Sequence, residues 1–322
     1  MLSRLTNSRL LLFAALLAAL MIVAAACGDD DDDSGEAGTA GEGVSVTIAD
    51  KGFSESSIVA QMYAAALANQ GFGTTVESLG STEIADAAIR NGEIDVYPEY
   101  TGTSYLNVLG RDGADAADLS REEVYAEVDT AYADRGLATL PPAPYNNGNE
   151  VACTTEAAEE YNLETLSDLG RESGNLTYSA NAEHLTRDDG LPLLASEYGV
   201  EFGDVRTVDI SLRYEPIENG QAECVYAFGT DPKLGQLDLV VLEDDKGTFS
   251  AGVPFQNFPV VNAEFYEGLT DEQREAFDNA LNGVNELLTA EEIRPLIAQV
   301  EFDKEEPEDV ANSFLQDQGV IS

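Results

Sequence analysis

The sequence predicts an α/β protein of two lobes, each a mostly parallel sheet flanked by helices. Three observations predict it. Residues 44–97 alternate strand and helix patterns in the order βαβαβ. A second alternating set runs from 151 to 228. Two proline-containing breaks, Leu140-Pro-Pro-Ala-Pro-Tyr145 and Gly229-Thr230-Asp231-Pro232, bracket that second set. Alternating strands and helices argue for a parallel sheet covered by helices. Proline-rich stretches do not fit inside elements and read as stiff crossovers. The expected domains are a first lobe of residues 44–144 and 231–322 and an inserted second lobe of residues 145–230; the alternative is two sequential domains with no shared hinge. Two such lobes close by hinge motion around whatever lies between them.

The chain begins with a targeting pattern. Arg4 and Arg9 precede an apolar run over residues 10–23, and Ala24, Ala25 and Ala26 lead into Cys27. Charge, apolar run and small residues in that order mark a secretory signal over residues 1–26. A cysteine directly after the small residues resembles a bacterial lipoprotein processing site, although Ala24 stands where such sites usually carry leucine. On that resemblance Cys27 is the lipidated first residue of an extracytoplasmic, membrane-anchored protein. The alternative is an uncleaved helical anchor. Residues 27–43, with aspartates 29–33, bury no apolar area and read as a solvated acidic tether.

The remaining elements follow from local patterns. Residues 44–49 alternate like a strand. A helix over 54–69, capped by Ser54, carries Ile58, Met62, Ala66 and Leu67 on one face and ends at Gly71. Residues 74–79 form the second strand, and Ser81 opens a second helix with Ile84, Ala88 and Ile89. Residues 94–97 form the third strand, cut short by Pro98. Ser120 and Glu123 make a capping box for a helix through Ala133. In the second lobe, strands are expected at 151–153, 176–179, 205–209 and 224–228, with helices at 155–161 and 188–198. Strands at 239–242 and 259–262 follow. Helices opened by Thr270 and Thr289, and one from Pro307, complete the chain.

Composition narrows the function. The formal charge is −45, from 61 acidic and 16 basic residues. Phosphates would be repelled, so nucleic acid is excluded as a natural partner. There is no G-x-x-x-x-G-K-[ST] loop, no nucleophile elbow and no metal-ligand spacing of His and Cys. The expectation is a protein that is not an enzyme and carries no cofactor or metal, with any ATP hydrolysis on another subunit. A binding module is favoured over an enzyme or a partner-binding sensor. Cys153 and Cys224 are an even pair in an exported chain, so a bridge and two buried thiols both stay open. The single histidine, His184, reads as a solvated loop residue.

One stretch points to a site. Residues 93–103 read Glu-Ile-Asp-Val-Tyr-Pro-Glu-Tyr-Thr-Gly-Thr. Open α/β sheets bind ligands at strand-end loops, and Tyr100 and Thr103 offer a ring face and a hydroxyl there. Lys51, one of four lysines, lies between the first strand and first helix, on a likewise placed edge. Three further groups of motifs accompany this stretch along the chain. They are residues 50–55 (Asp-Lys-Gly-Phe-Ser-Glu), 141–147 with 187–192, and a last group from 209–214 through 218–220 and 228–231 to 241–247.

Together these segments resemble the substrate-binding proteins of ABC importers for osmoprotectants of the glycine betaine and choline type. The resemblance implies a two-lobed, type II-like periplasmic-binding-protein fold, an ABC permease as partner, and a monomer that binds a small quaternary ammonium ligand. A trimethylammonium group has no N–H, so aromatic faces must hold it, at ~0.5–2 kcal/mol per favourable ring. By residue, the resemblance implies Tyr100, Phe228 and Phe255 as cage walls. It implies Lys51, Thr103 and Arg187 as carboxylate ligands, and Asn147 as a contact from the second lobe. The family commonly has an aromatic near position 149, where this chain has Asn149; either Tyr145 or Tyr214 compensates, or the ligand carries fewer methyl groups.

Overall fold

A computed structural model describes residues 38–116, 119–249 and 253–322. These residues belong to one compact unit. The expected signal segment, Cys27 and residues 28–37 of the tether lie outside the described residues. No described helix is long and apolar enough to cross a membrane.

The first sheet is built from β1 (Ser45–Asp50), β2 (Gly73–Ser78), β3 (Val96–Tyr100), β4 (Leu137–Thr139) and β10 (Asn257–Asn262), in the order β2-β1-β3-β10-β4. The second contains β5 (Asn149–Thr154), β6 (Thr177–Ala180), β7 (Asp204–Thr207), β8 (Cys224–Phe228) and β9 (Leu239–Val241), in the order β7-β6-β8-β5-β9. Each sheet has four strands running one way and one, in fourth place, running against them. The reversed strands, β10 and β5, are the first strands entered after each passage between the sheets.

Helices α1 (Ser54–Asn69), α2 (Thr82–Arg90), α3 (Arg121–Ala133), α4 (Thr155–Tyr161), α5 (Leu166–Glu172), α6 (Asp271–Leu287), α7 (Ala290–Ala298) and α8 (Pro307–Asp317) cover the sheets. Capping boxes start α3 at Ser120 and α6 at Thr270, because serine or threonine followed three residues later by Glu or Gln satisfies two orphan N–H groups. α1 is apolar around most of its circumference rather than on one face. Ile58, Val59, Ala60, Met62 and Tyr63 are all buried, and α1 packs against β2, α6 and α8.

Several expectations are corrected. Pro98 does not end the third strand. It lies inside β3, directly opposite Pro259 of β10. The Pro259 carbonyl turns away to accept from Leu140, just after β4, so neither proline is asked to donate across the pair. Ser54 is the first residue of α1 rather than its cap; its hydroxyl donates to Glu301 at 3.1 Å. The tether ends earlier than expected, since the Gly38 and Gly41 N–H groups donate to the Asn69 and Gln70 carbonyls and Gly41 packs on Phe72.

The second passage between sheets is also elsewhere than expected. Residues 239–241 pair with β5, and Thr165 bridges Glu243, so the second lobe runs past residue 230. Residues 229–232 are instead a turn after β8. The chain returns to the first sheet just before β10. There it runs beside the first crossover: the Ala143 N–H donates to the Asn257 carbonyl at 2.7 Å and the Asn147 N–H to the Phe255 carbonyl at 2.9 Å. Phe255 N–H donates to Asn146 Oδ1 at 2.7 Å, and Gln256 Nε2 donates to the Ala143 carbonyl at 2.9 Å.

Cys153 of β5 and Cys224 of β8 face each other in register and form a disulfide that closes a separation of 71 residues. Closing a loop of that length restricts the unfolded chain. Reduction is expected to lower the unfolding free energy by ~2–4 kcal/mol, read from urea midpoints with and without reductant. An unchanged midpoint contradicts the bridge.

Candidate ligand-binding site

Ends of strands from both sheets converge on one cleft, with about 530 Å³ of space including its mouth. Lys51 follows β1 and Tyr100 ends β3. Asn181, Glu183, His184 and Arg187 follow β6, and Phe228 ends β8. Asn147 and Phe255 come from the two crossovers, and Asn149 starts β5. The seven residues expected to bind ligand all line this space, and Asn149 lines it too.

The first half supplies a ring and a cation. Gly52 has φ +79°, and a Cβ there would lie 3.0 Å from Gly80 Cα; this tight left-handed turn brings Lys51 and Phe53 to the same rim. Lys51 is buried, forms an ion pair with Glu99, and holds its Nζ 4.8 Å from the Tyr100 ring centroid. The Tyr100 hydroxyl donates to Glu55 Oε1 at 2.6 Å, which sets the ring's tilt. Phe53, a wall not foreseen from sequence, lies 6.2 Å from Tyr100 and 5.2 Å from Phe228 by centroids.

The second half supplies another aromatic bank. Tyr226 and Phe228 sit two apart on β8, hence on one face, with centroids 5.1 Å apart. The Tyr226 hydroxyl donates to Asn149 Oδ1 at 2.6 Å. Asn149 therefore holds an aromatic in place where the family pattern suggested an aromatic of its own. His184 is not a solvated loop residue. It is 2% exposed, stacks on Tyr226 at 3.8 Å and 17°, and bonds the Tyr178 hydroxyl at 3.0 Å. Burial, aided by the charge of Arg187, holds its pKa at about 3, so the ring is neutral. Tyr145 and Tyr214 do not line the cleft. Their hydroxyls donate to Glu55 at 2.8 Å and to Asp231 at 2.7 Å.

Both expected cations already have protein partners. Arg187 forms ion pairs with Asp189 and, at 3.4 Å, with Glu183. It also donates to Thr103 Oγ1 at 3.5 Å, a long contact that joins the two halves. Glu183 is raised in pKa by burial, against the opposing charges of Arg187 and Lys51. It thus lies within the field of both cations. Among the described residues no cluster of His, Cys, Asp and Glu fits a metal.

Phe255 depends on a glycine. A Cβ on Gly102 would sit 2.7 Å from two atoms of the Phe255 ring. Gly102→Ala is expected to displace this wall and lower stability by ~1–3 kcal/mol, the cost of overpacking. Calorimetric unfolding checks this; a wild-type midpoint would mean the ring has room to move.

Residues 44–317 match the family model for the substrate binding domain of ABC-type glycine betaine transport systems. A glycine-betaine-binding protein of Pseudomonas aeruginosa is 31% identical over 290 residues, covering 86% of this chain and 89% of that protein. The ergothioneine transport permease/ergothioneine binding protein EgtU of Helicobacter pylori is 30% identical over 243 residues, covering 75% of this chain and 41% of that longer protein. A solved glycine betaine/carnitine/choline ABC transporter structure superposes with a TM-score of 0.63 at 24% identity, covering 86% of this chain and 100% of the other; that likeness concerns the fold.

Proposed function

This chain belongs to the substrate-binding domains of ABC-type glycine betaine transport systems, and from that premise we propose that its cleft captures a quaternary ammonium osmoprotectant resembling glycine betaine. The loaded protein then delivers it to the permease of an ABC importer. Cys27 anchors it outside the cytoplasm as a monomeric lipoprotein, and it performs no catalysis.

One observation carries the reading. Phe53, Tyr100, Tyr226, Phe228 and Phe255 surround a single space between two sheets. A quaternary ammonium has no N–H to donate and no lone pair to accept with, and ring faces attract it at ~0.5–2 kcal/mol each. Lys51, beside the Tyr100 ring, together with Thr103 and Arg187, suits a carboxylate, which must compete with Glu99 for the lysine and with Asp189 and Glu183 for the arginine. The curated relative from Pseudomonas aeruginosa supports glycine betaine by its name.

The ion pairs favour a second reading. With Glu99 already neutralising Lys51, and Asp189 and Glu183 neutralising Arg187, a ligand without a carboxylate, such as choline, leaves every pair intact. Titration calorimetry of the mature protein with glycine betaine, choline, carnitine and ergothioneine separates the two. Glycine betaine is expected to bind more tightly than choline. The reverse order favours the second reading, and no binding by any of the four overturns both.

A further inference from the structure

Glu55 stands in the first turn of α1 and is 2% exposed. Its Oε1 accepts from the Tyr100 hydroxyl at 2.6 Å, the Tyr145 hydroxyl at 2.8 Å and Asn147 Nδ2 at 3.1 Å. Its Oε2 lies 2.5 Å from Thr230 Oγ1. That hydroxyl is in turn 2.8 Å from Asn147 Oδ1. The same Oδ1 accepts the Thr230 backbone N–H at 3.2 Å, which fixes the way the amide faces.

Counting protons decides the state of this carboxyl. A threonine hydroxyl has one proton to give. If Glu55 were ionised, Thr230 Oγ1 would face two acceptors at 2.5 and 2.8 Å, and one short contact would set lone pair against lone pair. A proton on Glu55 Oε2 removes the conflict. Glu55 then donates to Thr230, Thr230 donates to Asn147, and Oε1 keeps its three donors. Burial also raises the pKa of this group, opposed by its bonds to Thr230, Tyr100 and Tyr145. The neighbouring Asp231 carboxylate adds to the rise; it is itself paired with Arg213. The phenols of Tyr100 and Tyr145 are raised chiefly by burial, so they remain donors.

The partners come from different parts of the molecule. Tyr100 ends a strand of the first sheet. Tyr145 and Asn147 belong to the first crossover. Thr230 follows β8 of the second sheet. We propose that Glu55 is a positioning residue that, as a neutral acid, locks the Tyr100 wall to Thr230 of the other half, so that the binding wall and the closed arrangement form together. The role rests on the ligand reading above, but the protonation state does not.

Glu55→Ala removes the acceptor and is expected to weaken binding of the tightest panel ligand by about tenfold or more, the effect of orphaning buried donors. Glu55→Gln offers an acceptor to three donors and an N–H to Thr230, so its affinity should stay within about threefold of wild type. A residue that only supports the fold would lower the unfolding temperature and leave affinity far below that temperature unchanged. An infrared band of a protonated carboxyl at neutral pH, lost in Glu55→Gln, is expected with or without ligand. The proposal is overturned by unchanged affinity in Glu55→Ala, by Glu55→Gln behaving like Glu55→Ala, or by the absence of that band. If wild type binds no panel compound, the ligand reading fails while the band still decides the state of Glu55.

Discussion

Replacing Tyr100 by alanine is expected to weaken ligand binding by ~10- to 100-fold. A well-placed ring contributes ~0.5–2 kcal/mol to holding a quaternary ammonium. Removing this one also leaves a gap beside Phe53 and takes a donor from Glu55. The Lys51 ammonium, 4.8 Å from the Tyr100 centroid, loses a face that steadies it. Tyr100→Phe keeps the ring and loses only the hydroxyl, so it should fall between alanine and wild type. Calorimetric titration of the three proteins checks the order. Wild-type affinity in Tyr100→Ala would remove the ring from the ligand's surroundings.

The largest effect on stability is expected at Asp231. Its carboxylate accepts from Arg213 Nη2 at 2.6 Å, from the Tyr214 hydroxyl at 2.7 Å and from the Phe228 N–H at 2.8 Å. Arg213 is 2% exposed and cannot shed its charge. Asp231→Ala leaves that guanidinium buried without its paired carboxylate, with only the Ile210 carbonyl and the charge of Glu301 to offset it, a cost of ~3–5 kcal/mol. At ~2–4 °C per kcal/mol for a unit of this size class, the unfolding temperature should fall by ~6–20 °C. Replacing both partners by apolar residues of similar volume should lose less than Asp231→Ala alone, because no orphaned charge remains. Scanning calorimetry of the single and double variants tests this; equal losses would shift the weight to the bonds from Tyr214 and Phe228.

Much of this molecule was legible because its signals are local. Caps at Ser81, Ser120 and Thr270 are short-range hydrogen-bond patterns, and the structure starts helices at each. Residues 224–228 carry β-branched and aromatic residues and form β8 with those limits. Pairing partners were less legible. β9 resembles any short apolar run, and only its ladder with β5 assigns it to the second sheet.

The cleft shows the same divide. Strand-end position marked Tyr100 and Lys51, and both line the space. Tyr226 carried an available signal, since it shares a strand face with Phe228 two residues on. Phe53 lay inside a quoted motif, but nothing local says that Gly52 turns it toward the cleft. His184 had no local signal. Its burial requires Gly190, where a Cβ would come within 2.1 Å of the His184 carbonyl oxygen. Tyr145 and Tyr214 illustrate the converse: a sequence shows a ring, not the buried carboxylate that claims its hydroxyl.

Residues 143–147 of the first crossover and 255–257 at the end of the second are cross-linked by the bonds between Ala143 and Asn257, Asn147 and Phe255, Phe255 and Asn146, and Gln256 and Ala143. A paired strip of chain of this kind yields across its flat side and resists sliding, since sliding would strain every rung at once. Such a strap favours swinging of the halves over sliding, like a door on its hinge, so that a solute would meet the same opposing surfaces at each return.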